Sequence, residues 1–154
     1  NDKVFYMRAD SSLVLDRYEE LIPLHIGVKR GAHYDPRFDL DTALRKSEVT
    51  TTEQSFRKLQ QHRIDTLITT EIEGDYLIKS YGWEGTFRKA PLRFSSLTGV
   101  YIGFSKASPH HDLIPEISHE LAHMVANGDI DRLMTSYIGV QQYPQGAGGN
   151  RAAP

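Results

Sequence analysis

The chain has 154 residues, 39% hydrophobic and 25% charged, enough for one domain that buries roughly two-thirds of its unfolded surface and too few for a multidomain machine. Eighteen Lys and Arg against 20 Asp and Glu leave a net charge of -2, so no cationic surplus is available to neutralise a phosphate backbone, and nucleic acid is excluded as the main partner. The lack of Cys removes disulfides, thiolate chemistry and thiolate metal sites, and no apolar run approaches the ~20 residues of a membrane helix, which argues against membrane insertion.

In chain order, Val4-Phe5-Tyr6-Met7 is the first apolar strand. Leu24-His25-Ile26-Gly27-Val28 predicts a second that ends at Gly31, followed by a turn at Tyr34-Asp35-Pro36 and a helix from Pro36 to about Lys46, because Pro fits a first helical turn. Glu48 to Thr51 reads as a short strand. Thr51 with Gln54 forms a capping-box pattern that starts a helix carrying Phe56 and Leu59 on one face as far as His62. Thr66-Leu67-Ile68-Thr69-Thr70 is rich in β-branched residues and predicts a strand; Ile72, Tyr76 and Leu77 then share a helical face up to Tyr81-Gly82. Strand alternating with helix argues for a mostly parallel sheet flanked by helices. Val100 to Phe104 reads as a further strand. Asp112 as N-cap and Pro115 in the first turn open a helix in which Ile114, Ile117, Leu121, Met124 and Val125 recur at helical spacing until Asn127-Gly128, and a last helix runs from Ile130 to Ile138. Residues 141–154 are rich in Gly, Gln and Pro and predict a disordered tail.

In an open α/β sheet a ligand lies beyond the carboxyl ends of the strands, which points to Gly31-Ala32-His33-Tyr34 and to Thr70-Glu71. Gly31 lets the backbone turn tightly, and the helix start behind it offers unpaired N–H groups for a carboxylate or another anion. Glu71 suits an ammonium or a hydroxyl. The residues alone leave open that Gly31 is only a turn and Glu71 only a solvated carboxylate at a helix start. His119-Glu120-Leu121-Ala122-His123 matches the zinc-hydrolase pattern H-E-x-x-H. That chemistry needs a third protein ligand, which only Asp129, Asp131 or an upstream carboxylate could supply. The two histidines also fall nearly opposite the apolar stripe of their helix, so they read as an accidental surface pair, and His110-His111 as a loop pair. Tyr81 and Trp83 read as an aromatic cluster beneath a loop. No metal or cofactor and no enzymatic role are expected.

The runs Ile26 to Tyr34, Phe38-Asp39, Phe56-Arg57-Lys58-Leu59 and Arg63 to Ile68, with Gly99 to Lys106 and the segment Leu121 to Tyr137, resemble in order and spacing the second lobe of the bacterial extracellular solute-binding protein family 3, the periplasmic amino-acid-binding components of ABC importers. The resemblance implies one lobe of a periplasmic-binding-protein type II fold. Residues 1–10 and the start of 99–140 would supply hinge strands, Val4–Met7 and Tyr101–Phe104 crossing to a first lobe that lies before Asn1. Residues 11–98 would form the solute-binding α/β lobe, and 99–140 would add the C-terminal helices. It further implies a small polar solute, an amino acid or carboxylate-like, held by Gly31, Ala32, His33, Tyr34, Thr70 and Glu71, with an ABC permease as partner of the complete protein and a periplasmic location. A ligand-sensing module of a signalling protein with the same fold is the alternative. Where the family often carries a hydroxyl and an Asp that pairs with the solute's amino group, this chain has Ala32 and Thr70. The apolar helix face at Ile114–Val125, without the first lobe, is expected either to drive self-association, together with the flanking hinge strands, or to fold back on the chain's own sheet.

Overall fold

The computed structural model describes residues 2–95 and 101–138, and the chain divides into two compact units between Ile102 and Gly103. The described residues of the first unit hold five strands: β1 (Lys3–Arg8), β2 (His25–Lys29), β3 (Arg45–Val49), β4 (Thr66–Thr70) and β5 (Phe87–Phe94). They form one sheet in the order β3-β2-β4-β1-β5. β2 is parallel to β3 and to β4, while β1 is antiparallel to β4 and β5. The sheet is therefore mixed, and the expected parallel pairing is confined to β3-β2-β4.

That topology fixes where the loops emerge. β2 and β4 are adjacent and parallel, with Gly27 beside Leu67, so their carboxyl ends share one edge of the sheet. β1 runs the other way, and Lys3 lies opposite Thr70, which brings the amino end of β1 to the same edge.

Successive strand residues point to opposite faces, and the core divides accordingly. Phe5, Met7, Ile26, Val28 and Ile68 enter one buried cluster, with Leu15, Tyr18, Leu21 and Phe38. Val4, Tyr6 and Leu67 enter the other, with Phe56, Leu59, Ile64 and Phe87. All four of Val4 to Met7 have no exposed surface, as befits a strand covered on both faces and paired on both edges.

The helices α1 (Pro36–Leu40), α2 (Thr52–Gln60) and α3 (Glu71–Ser80) follow β2, β3 and β4. α1 is half as long as the sequence predicts. The chain leaves the helix at Asp41 in an extended conformation, and Lys46 Nζ donates to the carbonyls of Phe38, Asp39 and Asp41 at 2.5, 3.1 and 3.0 Å, closing the helix end from β3. α2 carries its expected capping box, with Thr51 Oγ1 accepting from Gln54 N at 3.4 Å. It packs directly over β2, where a Cβ on Gly27 would stand 2.7 Å from Ile64 Cδ1 and 2.9 Å from Ser55 Oγ. α3 comes equally close at Gly74, which lies against the ring of Tyr6.

Residues 101–105 form no strand, contrary to the sequence expectation; Val100, the start of that predicted strand, and the predicted tail lie outside the described residues. β1 finds its second neighbour in β5. One residue of β1, Phe5, faces the three residues between Lys89 and Arg93, and Pro91 sits inside this bulge, where a residue without an N–H is tolerated. The second unit contains a 3-10 turn (His111–Leu113) and the helices α4 (Ile114–Ala126) and α5 (Asp129–Ile138). Leu113 rather than Asp112 takes the N-cap position of α4, without a side-chain cap. Gly128, at φ +76°, separates the two helices.

Candidate functional site

The turn after β2, Lys29 to Tyr34, lines a cavity of about 260 Å³ at the shared sheet edge, joined by Lys3 of β1, Thr52 at the start of α2, and Thr69, Thr70 and Glu73 at the junction of β4 and α3. Five of the six residues singled out from sequence, Gly31, Ala32, His33, Tyr34 and Thr70, are brought together here.

The turn is held open by its own hydrogen bonds. Gly31 has φ +73°, a conformation costly for any residue with a Cβ. Arg30 N donates to Val49 O at 2.8 Å and Ala32 N to Lys29 O at 3.1 Å. The Tyr34 hydroxyl accepts from Lys29 N at 2.8 Å, and burial pushes this phenol up from its ordinary range, so it stays a neutral hydroxyl. Tyr34 N donates to the Asp39 carboxylate at 3.1 and 3.2 Å. The backbone N–H groups of Gly31 and His33 have no partner among the described residues.

The helix start behind the turn does not offer the anion donors that the sequence suggests. Asp35 caps α1 and accepts from Arg37 N at 2.9 Å and Phe38 N at 3.2 Å, and Pro36 has no N–H to give. The uncommitted donors belong to the turn itself.

Glu71 also stands elsewhere. Its carboxylate accepts from Lys89 Nζ at 2.7 Å and lies 3.7 Å from Arg93, in a network that includes Asp75, which accepts from Lys89 at 2.7 Å and from the Tyr6 hydroxyl at 2.9 Å. The cavity carboxylate is Glu73 instead. Two residues along a helix turn by about 200°, so the first and third positions of α3 face opposite sides. Thr70 Oγ1 accepts from Glu73 N at 3.2 Å, while Glu73 Oε2 accepts from the Thr69 hydroxyl at 2.7 Å and Oε1 lies 3.6 Å from Lys29 Nζ. The spacing Thr70-x-x-Glu73 is itself a helix-start signature that places the third residue beside the cap, and this signal was available in the sequence. Lys3 and Thr52 carried none, because only the sheet order brings them to this edge.

The other candidates are not among the residues that line the cavity. His119, Glu120 and His123 are exposed on α4, Asp129 pairs with Arg132, and among the described residues no group of three or more His, Cys, Asp or Glu is gathered as a metal would need. Tyr81 stacks on Trp83 with centroids 4.7 Å apart, and Trp83 packs on Phe56 and Phe87, an outlying part of the core. No helix among the described residues is long and apolar enough to cross a membrane.

No protein-family model matches the chain, and no curated protein does so. Solved structures match in fold. An ancestral arginine-binding protein bound to arginine superposes with a TM-score of 0.67 at 16% identity, over 90% of this chain and 60% of that one. The P235GK mutant of ArgBP from T. maritima gives 0.65 at 17% identity, over 91% and 59%. The substrate binding protein of an amino acid ABC transporter gives 0.61 at 14% identity, over 90% and 61%. The shared fold is a lobe of the periplasmic-binding-protein type II class. At these identities the likeness is one of architecture, and the chain spans 59 to 61% of the length of these three proteins.

Proposed function

We propose that this chain is the non-enzymatic solute-binding lobe of a two-lobed extracytoplasmic protein that captures a small polar solute, an amino acid or a carboxylate, and delivers it to an ABC importer. The observation that carries the reading is the meeting of the loops leaving β2 and β4 at one cavity, lined by Gly31 and His33, whose N–H groups have no partner among the described residues. Backbone N–H groups held in a turn recognise a carboxylate without a reorganisation cost, because the turn is already fixed. Solved proteins of the same fold are described as arginine-bound and as a substrate binding protein of an amino acid ABC transporter, which supports the solute class and the importer as partner.

A cavity of this size, open to solvent at a sheet edge, provides half of an enclosure, and a second lobe closing over it would desolvate the solute by a hinge motion. A thermal-shift screen of polar amino acids and small carboxylates tests the proposal. At least one of them raises the melting temperature as its concentration increases, and Gly31→Val, which strains the turn, removes the effect. A panel in which nothing shifts the transition overturns it.

A further inference from the structure

We infer that the end of the solute entering this lobe is a carboxylate that carries no ammonium beside it, so that organic acids are preferred to zwitterionic amino acids. The inference rests on reading the cavity as the solute site. Among its lining residues Glu73 is the one carboxylate, and it is already engaged: Oε2 by the Thr69 hydroxyl at 2.7 Å and Oε1 by Lys29 at 3.6 Å. Thr70, at the junction of β4 and α3, uses its hydroxyl oxygen to cap Glu73 N. Glu71 is committed to Lys89. An ammonium placed here would therefore meet Lys3, which pairs with no carboxylate among the described residues, beside two ion pairs that cancel, Lys29 with Glu73 at 3.6 Å and Arg30 with Glu48 at 3.3 Å, and like charges at close range repel.

The donors are in surplus. The Lys3 ammonium has no hydrogen-bond or ion-pair partner among the described residues, and the N–H groups of Gly31 and His33 have none either. Thr52 supplies an independent sign. It lines the cavity, is 4% exposed, and its buried hydroxyl has no hydrogen-bond partner among the described residues, which is rare for a buried polar group and calls for a further partner. Thr52 is the first residue of α2, a nine-residue helix whose first-turn N–H groups carry positive partial charge. Of these groups the Thr51 side chain caps only Gln54 N. Ammonium, backbone donors, hydroxyl and helix end thus all favour the same charge.

Succinate and aspartate differ by one ammonium group, so calorimetry with these two acids on the full chain isolates the question. Succinate is expected to bind at least tenfold more tightly than aspartate. Lys3→Gln and Thr52→Val are each expected to weaken succinate about tenfold, the usual effect of losing one hydrogen bond to a charged group, while Thr52→Ser keeps the hydroxyl and the affinity. Thr70→Asp retains the cap, adds the missing counter-charge, and is expected to shift the ratio toward aspartate by tenfold or more. If aspartate binds more tightly than succinate and Thr52→Val weakens it, the cavity stands and the preference for an acid without ammonium is overturned. If neither acid binds, or binding ignores both Lys3→Gln and Thr52→Val, the site assignment itself is overturned.

Discussion

Gly74→Ala probes the contact that seats α3 on the sheet, and with α3 the positions of Thr70 and Glu73. In an exposed helix the change would stabilise by about 1 kcal/mol, since Gly is a poor helix former. Here the added methyl falls on the ring of Tyr6, which has no exposed surface. That ring cannot swing aside cheaply. Its hydroxyl donates to Asp75 Oδ1 at 2.9 Å and approaches Glu71 O at 3.2 Å, and its plane packs edge-on to Phe56 with centroids 5.2 Å apart. Overpacking a core costs about 1–3 kcal/mol, and displacing the hydroxyl from its partners adds about 1 kcal/mol for each bond. Set against the helix gain, the net loss is about 2–4 kcal/mol. Urea unfolding measures it as a lower midpoint with an unchanged slope. In a Tyr6→Val background, where the space is open, Gly74→Ala should become neutral or stabilising by up to about 1 kcal/mol. An equal loss in both backgrounds would refute the close-approach explanation.

Burial, reinforced by a hydrogen bond to Asp41, pushes the Tyr18 phenol up to about 12. A group raised on folding stabilises fully below its unfolded value, near 10, and that contribution is lost as pH rises through about 12. Urea midpoints between pH 10 and 12 should therefore fall more steeply for the native chain than for Tyr18→Phe, and parallel profiles would contradict the assignment. His62, just past the end of α2, holds φ at 59°, where a glycine is less strained. His62→Gly should raise stability by about 0.5 kcal/mol in thermal or urea unfolding, and a loss would show that the imidazole has a role not visible in its contacts. Thr51→Ala removes the cap of α2 and should cost about 1 kcal/mol by the same assay.

What the sequence made legible follows the strength of its hydrophobic pattern. Thr66–Thr70 appears as a strand within its expected limits, because β-branched residues buried on both faces leave little alternative. β3 begins three residues before the expected Glu48. Its sequence Arg-Lys-Ser-Glu-Val buries only Val49, so pairing with β2, rather than any local preference, makes it a strand. β5 escaped for the same reason, with charges at Arg88, Lys89 and Arg93 and a proline at its centre, features that an edge strand accepts. Conversely, the apolar run Tyr101-Ile102-Gly103-Phe104 has strand composition but forms no strand.

The site divides in the same way. Gly31 to Tyr34 and Thr70 could be named because they lie after or at the carboxyl end of strands whose direction the alternation of elements specifies. The choice of Glu71 over Glu73 turned on a single helical half-turn, and Glu71 was drawn instead to Lys89 and Arg93 of β5, the strand the sequence did not reveal. Lys3 and Thr52 reach the cavity only through the order β3-β2-β4-β1-β5, which pairing decides at long range.

Backbone amide chemical shifts recorded while succinate is titrated into the labelled chain address the site most directly. The amides of Gly31, His33, Thr52 and Thr70 are expected to move together with one saturation curve, leaving His119 to His123 unmoved. Shifts confined to the α4 histidines, or separate curves for Gly31 and Thr70, would contradict a shared pocket at the carboxyl ends of β2 and β4.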